Sequence, residues 1–176
     1  ARESCRVEVV DSQTVSMALG LLAIHAARRA RAGASLDDLS QWVKGAIPRT
    51  HLFGLLDTLE YIHKGGRIGK AQAFLGTLLK VKPLVAVREG EVHPVERVRS
   101  HAKGVEKLKE MIGRIPDIQS LALVYSTEAG MAEEMAQQLA PLVPQVEMFR
   151  SRFGPVLGTY VGPRGLGVAV LQKVPD

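Results

Sequence analysis

The spacing of hydrophobic residues changes between strand and helix periods along the chain. Residues 6–10 alternate and are rich in valine, which predicts a strand. Apolar residues then recur at helical spacing over about 16–31, which predicts a helix. Ser35 and Asp38 form the pattern of a capping box, so a second helix is predicted to begin there and to continue to about Lys44.

The middle of the chain predicts short elements around a glycine turn. Residues 51–56 predict a short strand, after which Asp57 or Thr58 caps a short helix. Residues 71–79 are apolar nearly all round, so a helix there should either be buried in the core or face a ligand. The core is the favoured interpretation.

The second half of the chain predicts a hairpin and then alternating helices and strands. Glu89-Gly90 separates two β-like runs, 82–88 and 91–99, and is a hairpin signal. Ser100 caps a predicted helix that continues to about Arg114. The remaining pattern predicts a helix at 129–139 and strands at 121–125, 146–150, 156–161 and 167–171. The predicted fold class is therefore α/β (α+β), a two-layer mixed β-sheet with helices packed on it.

The composition fits a globular protein whose interior is mainly aliphatic. Hydrophobic residues make up 46% of the chain and charged residues 23%, which argues against disorder. Aromatic residues make up only 5%, so any cavity is expected to have aliphatic walls. The apolar stretches are far shorter than the roughly 20 residues of a membrane span. Cys5 is the single cysteine, which rules out an intrachain disulfide and favours a cytoplasmic location.

The positive charge is concentrated in the central third of the chain. Residues 58–114 contain 12 basic and 6 acidic side chains, whereas the whole chain has a net charge of +5. Nucleic-acid surfaces usually interleave basic residues with aromatic ones, and this segment has only Tyr61 and Phe74. A protein or a phosphate-bearing partner is at least as plausible as nucleic acid.

The most informative segment is 57–69, Asp-Thr-Leu-Glu-Tyr-Ile-His-Lys-Gly-Gly-Arg-Ile-Gly. Gly65 and Gly66 allow a tight turn that can hold Arg67 in a fixed place. A guanidinium group offers a planar fork of donors suited to a carboxylate or a phosphate. The alternative is a helix C-cap followed by a solvated arginine.

Known catalytic and metal-binding motifs do not appear in the chain. The five histidines lack metal-ligand spacing, and the sequence contains neither a Gly-x-Ser-x-Gly elbow nor a phosphate loop. A glycine pattern at 162–167 resembles a dinucleotide fingerprint only loosely. We therefore predict no catalytic residue, no metal and no cofactor.

Several motifs occur together in an order that resembles one known family, the DegV family. They are Val9-Val-Asp-Ser12, Asp57-Thr-Leu-Glu-Tyr61, Gly65-Gly-Arg-Ile68, Lys82-Pro83, Val95-Glu-Arg-Val-Arg99, Gly154-Pro155, Gly158-Thr159 and Gly162-Pro163. The resemblance covers nearly the whole chain, and the combination is far more specific than any one motif.

The resemblance implies a function and a division into domains. Proteins of this family bind a long-chain fatty acid and present it to a separate fatty-acid kinase, so the chain is expected to be a carrier and not an enzyme. Residues 1–50 resemble the end of a first α/β domain, present as a strand-helix-helix remnant, and 51–176 resemble a second domain. The family's hydroxyl groups that hold the carboxylate would precede residue 1. We therefore expect this chain alone to bind fatty acid weakly or not at all, and submicromolar binding would contradict that expectation.

The resemblance and the aliphatic composition also indicate candidate ligand-binding residues. The family motif Gly-Thr-His-x-Gly-Pro matches 158–163, with tyrosine in place of histidine, and implies a ligand-binding role for Thr159, Tyr160 and Gly162. A tyrosine hydroxyl can donate a hydrogen bond but stays neutral near pH 7. For the walls of the acyl-chain site we predict Ile68, Phe74, Leu75 and Leu78.

The resemblance further implies that Arg67 and Arg99 dock the kinase. For Arg99 the alternative is that it simply alternates with Arg97 on a strand face. A second hypothesis for the whole chain is a regulatory or scaffolding module that has lost lipid binding, which Tyr160 favours. A nucleic-acid binder is supported only by the net charge. Co-purified lipid would separate the first two hypotheses, and a salt-sensitive shift with oligonucleotide would support the third.

Overall fold

The structure is a computed structural model that describes residues 5–75 and 81–175. The helices are α1 (Ser16–Arg31), α2 (Leu36–Ala46), α3 (Glu60–Lys64), α4 (His101–Gly113), α5 (Ala129–Leu139) and α6 (Pro155–Val161). The strands are β1 (Thr50–Leu55), β2 (Lys82–Arg88), β3 (Glu91–Val98), β4 (Ile118–Tyr125), β5 (Glu147–Arg152) and β6 (Leu166–Gln172). Two short 3₁₀ helices cover Ile47–Arg49 and Gly69–Phe74.

The strands form one six-stranded mixed sheet with the order β3-β2-β1-β6-β4-β5. In the described part of the chain, β4 and β5 run parallel and the other neighbouring pairs run antiparallel. The predicted class, an α/β (α+β) fold with a mixed sheet and helices packed on it, is confirmed. The predicted two layers are three, because helices pack on both faces of the sheet.

Side chains alternate between the two faces of the sheet, and helices cover both. On β1, Phe53 and Leu55 point into the larger core, where α4 and α5 pack, for example through Leu108 and Met135. Leu52 points to the opposite face and packs with α1 and α2. A third, smaller cluster lies around Leu56, Ile62, Ile68 and Val85.

Local sequence signals account for several element boundaries. The Ser35 hydroxyl accepts a hydrogen bond from the Asp38 backbone, and the Asp38 carboxylate accepts one from the Ser35 backbone, so the predicted capping box is present. Ser100 caps α4 by accepting from the backbone of Lys103, also as predicted. Glu89 and Gly90 both have positive φ, 51° and 77°, which suits the two-residue turn of the predicted hairpin.

The strand predicted at 6–10 is wrong. This segment has no regular secondary structure, and Val7 and Val9 are 50% and 80% exposed. Its charged side chains reach α2 instead: Arg6 pairs with Asp37, and Glu8 accepts a hydrogen bond from Ser40. The valine pattern favours an extended backbone, but the segment pairs with no described strand.

The strand predicted at 156–161 is also wrong, since these residues belong to α6. Pro155 occupies the first turn of the helix, where its fixed φ is favourable and its missing N–H costs nothing. The predicted helix at 71–79 is partly outside the described residues; the part that is described lies in the 3₁₀ helix Gly69–Phe74 and the following turn. Within the described ranges, no helix has the length and apolar character needed to cross a membrane.

Candidate functional site

An apolar groove of about 380 Å³ lies between one face of the sheet and α6. We call it the groove throughout. It is on the same face of the sheet as α1, beside the first residues of that helix. Its lining is Val15, Ser16, Leu52, Phe53, Gly54, Leu56, Ile62, Arg67, Val85, Val87, Gly90, Val92, Phe153, Val156, Leu157, Tyr160, Val161, Leu166 and Gly167.

The floor of the groove is made by three neighbouring strands. The even positions of β1, Leu52 and Gly54, face the groove, as does Leu56 directly after the strand. Val85 of β2 is the register partner of Gly54. On the other side, Gly54 is opposite Gly167 of β6. Two glycines therefore lie side by side in the floor, at positions where neighbouring strands normally present side chains.

One wall of the groove is α6, and its position is fixed by contact with α3. The ring of Tyr160 on α6 packs against Gly65 at the end of α3. Reciprocally, the ring of Tyr61 on α3 packs against Gly162 at the end of α6. A Cβ atom at either glycine would overlap the tyrosine ring. This interlock holds Tyr160 against the groove.

Among the described residues that line the groove, Arg67 is the one with a charged side chain. Gly66, with φ of 68°, makes the turn that places it there. The Arg67 side chain is exposed, and its Nη1 donates to the carbonyl oxygen of Gly65 at 3.5 Å. It has no ion-pair partner in the part of the chain that the structure describes. A guanidinium group at the rim of an apolar groove is suited to pair with an anionic head group or a partner's carboxylate.

Several other cations among the described residues of 58–114 have partners. Lys64 pairs with Glu60 at 2.6 Å, and Lys107 pairs with Glu110 at 3.1 Å. Arg97 lies over the ring of Phe74, at 4.8 Å from its centroid. Arg99 follows β3, is exposed, and forms no ion pair within residues 5–75 and 81–175.

The groove is lined by different residues from those that the sequence predicted. Ile68 is 9% exposed and packs in the small cluster beside the groove, and Phe74 and Leu75 pack against the same cluster. This happens because the 3₁₀ helix Gly69–Phe74 packs against β3. Leu78 lies outside the described residues. Strands and α6 supply the walls of this groove, and an acyl-chain role for Ile68, Phe74, Leu75 and Leu78 stays a prediction.

The predicted ligand-binding residues of the 158–163 motif are divided between the two sides of α6. Tyr160 lines the groove. Thr159 and Gly162 face a second, more open pocket of about 750 Å³, which also contains Ser126 and Arg152. The Thr159 hydroxyl donates to the carbonyl oxygen of Val156 at 2.7 Å, within the helix. We call this second cavity the α6 pocket.

Sequence reasoning missed Gly54, Gly167 and Phe153 as groove residues. Gly54 and Gly167 stand within predicted strands, and a glycine inside a strand often marks the close approach of a ligand or another backbone. That signal was present in the sequence. The sequence contained no comparable signal for Phe153, because the position of Phe153 depends on how β5, β6 and α6 pack together.

Asp57, the first residue of the 57–69 motif, belongs to an ion cluster outside the groove. Its carboxylate lies 2.9 Å from Nζ of Lys82 and 4.0 Å from Nε of Arg164, which in turn pairs with Glu128 at 3.1 Å. Burial, together with Arg164, lowers the pKa of the nearby His101. This cluster ties the end of β1 to the start of β2. No group of histidine, cysteine and acidic residues among the described positions could hold a metal ion.

Comparison with known proteins agrees with this architecture. A family model described as "Uncharacterised protein, DegV family" matches residues 1–173. A DegV domain-containing protein of Streptomyces coelicolor is 36% identical over 172 residues, covering 95% of this chain and 60% of the relative.

Solved structures show the same fold. A DegV family protein of Thermus thermophilus, described by its fatty-acid binding, has a TM-score of 0.83 and 28% identity over 98% of this chain and 63% of its own. DegV of Bacillus subtilis, described as a fatty acid binding protein, has a TM-score of 0.82 and 28% identity over 93% and 60%. The chain thus spans about 60% of the length of these relatives. With both the family model and these relatives in agreement, the chain belongs to the DegV family.

Proposed function

We propose that the groove binds the hydrocarbon tail of a long-chain fatty acid. The observation that carries this proposal is an apolar groove of about 380 Å³ whose floor and α6 wall present only aliphatic, aromatic and glycine positions. Ligand sites are commonly concave and mostly apolar, with a few polar groups at defined places. Arg67 and Tyr160 are the candidates for those polar groups.

The energetics of tail burial support this reading. Removing a methylene from water contributes about 0.8 kcal/mol, so roughly fourteen methylenes would contribute on the order of 11 kcal/mol before ordering costs. A carboxylate, by contrast, must keep hydrogen-bond partners when it leaves water. Arg67 can supply a charged donor at the rim, and the Tyr160 hydroxyl a neutral one. The relatives' fatty-acid binding supports the assignment of the tail to this groove.

The finer proposal is that the bound acid is presented to a separate cytoplasmic fatty-acid kinase, which carries out phosphoryl transfer. Arg67 and Arg99 are the proposed docking residues, as the family resemblance implies; both are exposed, and neither has an ion-pair partner among the described residues. Exposed charges of one sign speed encounter with an oppositely charged surface and fix its orientation. Division into domains at 1–50 and 51–176 is likewise proposed.

Tail binding is tested by titrating the chain with palmitic acid and following backbone amide signals by NMR. We expect shifts at Gly54, Gly167 and Tyr160, with an affinity in the micromolar range or weaker. Val156→Asp is the informative variant, because Val156 lines the groove and is 74% exposed. The substitution therefore places a carboxylate at the groove without disturbing the core. Val9→Asp is the matched control, because Val9 is 80% exposed and outside the groove.

The proposal predicts that Val156→Asp weakens binding at least tenfold, whereas Val9→Asp binds as the unmodified chain does. Absence of shifts at the groove, or equal loss in both variants, would refute tail binding.

Kinase presentation is tested by measuring acyl-phosphate formation by a fatty-acid kinase supplied with the loaded protein. At equal amounts of bound fatty acid, Arg67→Ala and Arg99→Ala should each lower the rate, while Arg31→Ala should not. Arg31 is an exposed arginine at the far end of α1, about 24 Å along the helix from the residues beside the groove. Equal rates for all variants would remove the docking role. Kinase binding without any fatty-acid binding would instead favour the regulatory or scaffolding module.

A further inference from the structure

We propose that Gly54, Gly167 and Phe153 set the length of the acyl chain that the groove accepts. This inference rests on the proposed function and concerns the selectivity of the same groove.

The two glycines contribute no side chains of their own to the floor of the groove. Gly54 and Gly167 are register partners on the neighbouring strands β1 and β6, and both line the groove. Their row continues to Val85 on β2 and to Val124 on β4. Since neighbouring strands lie about 4.8 Å apart, two adjacent glycines remove side chains over a continuous patch of floor.

The backbone does not require glycine at either position. Neither Gly54 nor Gly167 has a positive φ, so an L-residue could adopt both conformations. Glycine inside a strand is moderately destabilising, because it loses more backbone entropy and packs no side chain. Space, and not backbone conformation, is therefore the physical reason for glycine in this row.

The space above each glycine is limited. A Cβ atom at Gly54 would lie 3.3 Å from Cγ2 of Val85, and one at Gly167 would lie 3.1 Å from Cζ of Phe153. Both distances are shorter than ordinary carbon contacts of about 3.5–4.0 Å. A methyl group at Gly54 would therefore crowd Val85, and one at Gly167 would crowd the Phe153 ring, so either would reduce the space at the floor of the groove.

Phe153 lines both the groove and the α6 pocket. The tip of its ring lies above Gly167 in the floor of the groove. Its backbone is fixed by a hydrogen bond from its N–H to the carbonyl oxygen of Tyr125 at 2.9 Å, so the position of the ring depends on its side-chain torsions. A smaller residue at 153 would join the groove to the α6 pocket and lengthen the available space.

The two kinds of substitution therefore have opposite predicted effects. Gly54→Ala should shorten the preferred acyl chain, and Phe153→Ala should lengthen it. Each methylene that no longer fits should weaken binding about fourfold, and each further methylene that enters should strengthen it by a similar factor.

The experiment measures displacement of cis-parinaric acid, a fluorescent fatty acid, by decanoic, myristic, palmitic and stearic acids. The variants are Gly54→Ala and Phe153→Ala, with Gly130→Ala as the matched control. Gly130 lies in α5, outside the groove, and a Cβ there would meet no atom within 4 Å. Circular dichroism checks the fold of each variant. If Gly54→Ala or Phe153→Ala does not fold, Phe153→Leu is used, and the same lengthening is expected.

The expected result is a shift of the preferred acid towards shorter chains in Gly54→Ala, towards longer chains in Phe153→Ala, and no shift in Gly130→Ala. If the folded variants rank the acids in the same order as the unmodified chain, the length assignment is wrong while tail binding stands. If the unmodified chain binds none of the acids and no parinaric acid, tail binding itself is wrong.

Discussion

The interlock between α3 and α6 allows a stability prediction that separates steric from conformational effects. Gly65 has φ of −74°, which any residue adopts, so Gly65→Ala introduces only a clash with the Tyr160 ring. Gly162 has φ of 74° and ψ of −176°, a region that only glycine occupies readily, so Gly162→Ala adds backbone strain to a clash with the Tyr61 ring.

The expected magnitudes follow from these two terms. Overpacking typically costs about 1–3 kcal/mol, and the strained backbone a further 1–3 kcal/mol or so. Gly65→Ala should therefore lower the free energy of unfolding by about 1–3 kcal/mol, and Gly162→Ala by about 2–6 kcal/mol. Gly158→Ala is the control: it lies in α6 with no atom near its Cβ, and should raise stability by about 0.5–1 kcal/mol.

Double-mutant cycles provide the decisive comparison, with the free energy of unfolding measured by urea denaturation. In a Tyr160→Ala background, Gly65→Ala should cost almost nothing, because the clashing ring is gone. In a Tyr61→Ala background, Gly162→Ala should still cost about 1–3 kcal/mol, because the backbone strain remains. The reasoning fails if Gly65→Ala costs less than about 0.5 kcal/mol, or if its cost is unchanged without the Tyr160 ring.

Two further predictions concern α1 and α2. His25 is 8% exposed, and its Nε2 shares a hydrogen bond with the Ser120 hydroxyl at 2.9 Å. Burial is the main cause that lowers the pKa of His25, and the positive charge of Arg28 lowers it further. Because the unfolded chain takes up this proton near pH 6.5 and the folded chain does so only at lower pH, stability should fall as the pH drops below about 6.5. In His25→Gln this loss should shrink, and a pH profile of urea midpoints identical to that of the unmodified chain would contradict the assignment. Ser35→Ala removes the capping box and should lower the free energy of unfolding by about 1 kcal/mol, which corresponds to a melting temperature about 2–4 °C lower. Ser35→Thr keeps a capping hydroxyl and should melt near the unmodified chain. Equal melting temperatures for the two variants would count against the cap.

Much of the fold was predictable because its signals are local. The α5 bounds, the α2 capping box and the Glu89-Gly90 hairpin turn each depend on a few consecutive residues, and all three predictions are confirmed. The errors occur where distant contacts decide the outcome. Residues 6–10 have the pattern of a strand but pair with no described strand.

The segment 156–161 shows the same limit of local patterns. Its β-branched and aromatic residues favour a strand, yet Pro155 starts a helix that packs its tyrosine onto Gly65 of a distant turn. The groove could not be derived for the same reason. Its floor depends on the register of β1 against β6, and its wall on the packing of α6 against α3.

The position of the groove on one face of β1 has a consequence for how this protein can change. Odd positions such as Phe53 and Leu55 belong to the large core that α4 and α5 complete, while Gly54 between them faces the groove. Successive residues of a single strand thus have separate places, one set in the large core and Gly54 in the floor of the groove that is proposed to hold the ligand. A substitution at Gly54 can change the shape of the groove while the opposite layer keeps its packing, so under the proposed function selectivity can diversify on a scaffold whose stability is maintained elsewhere.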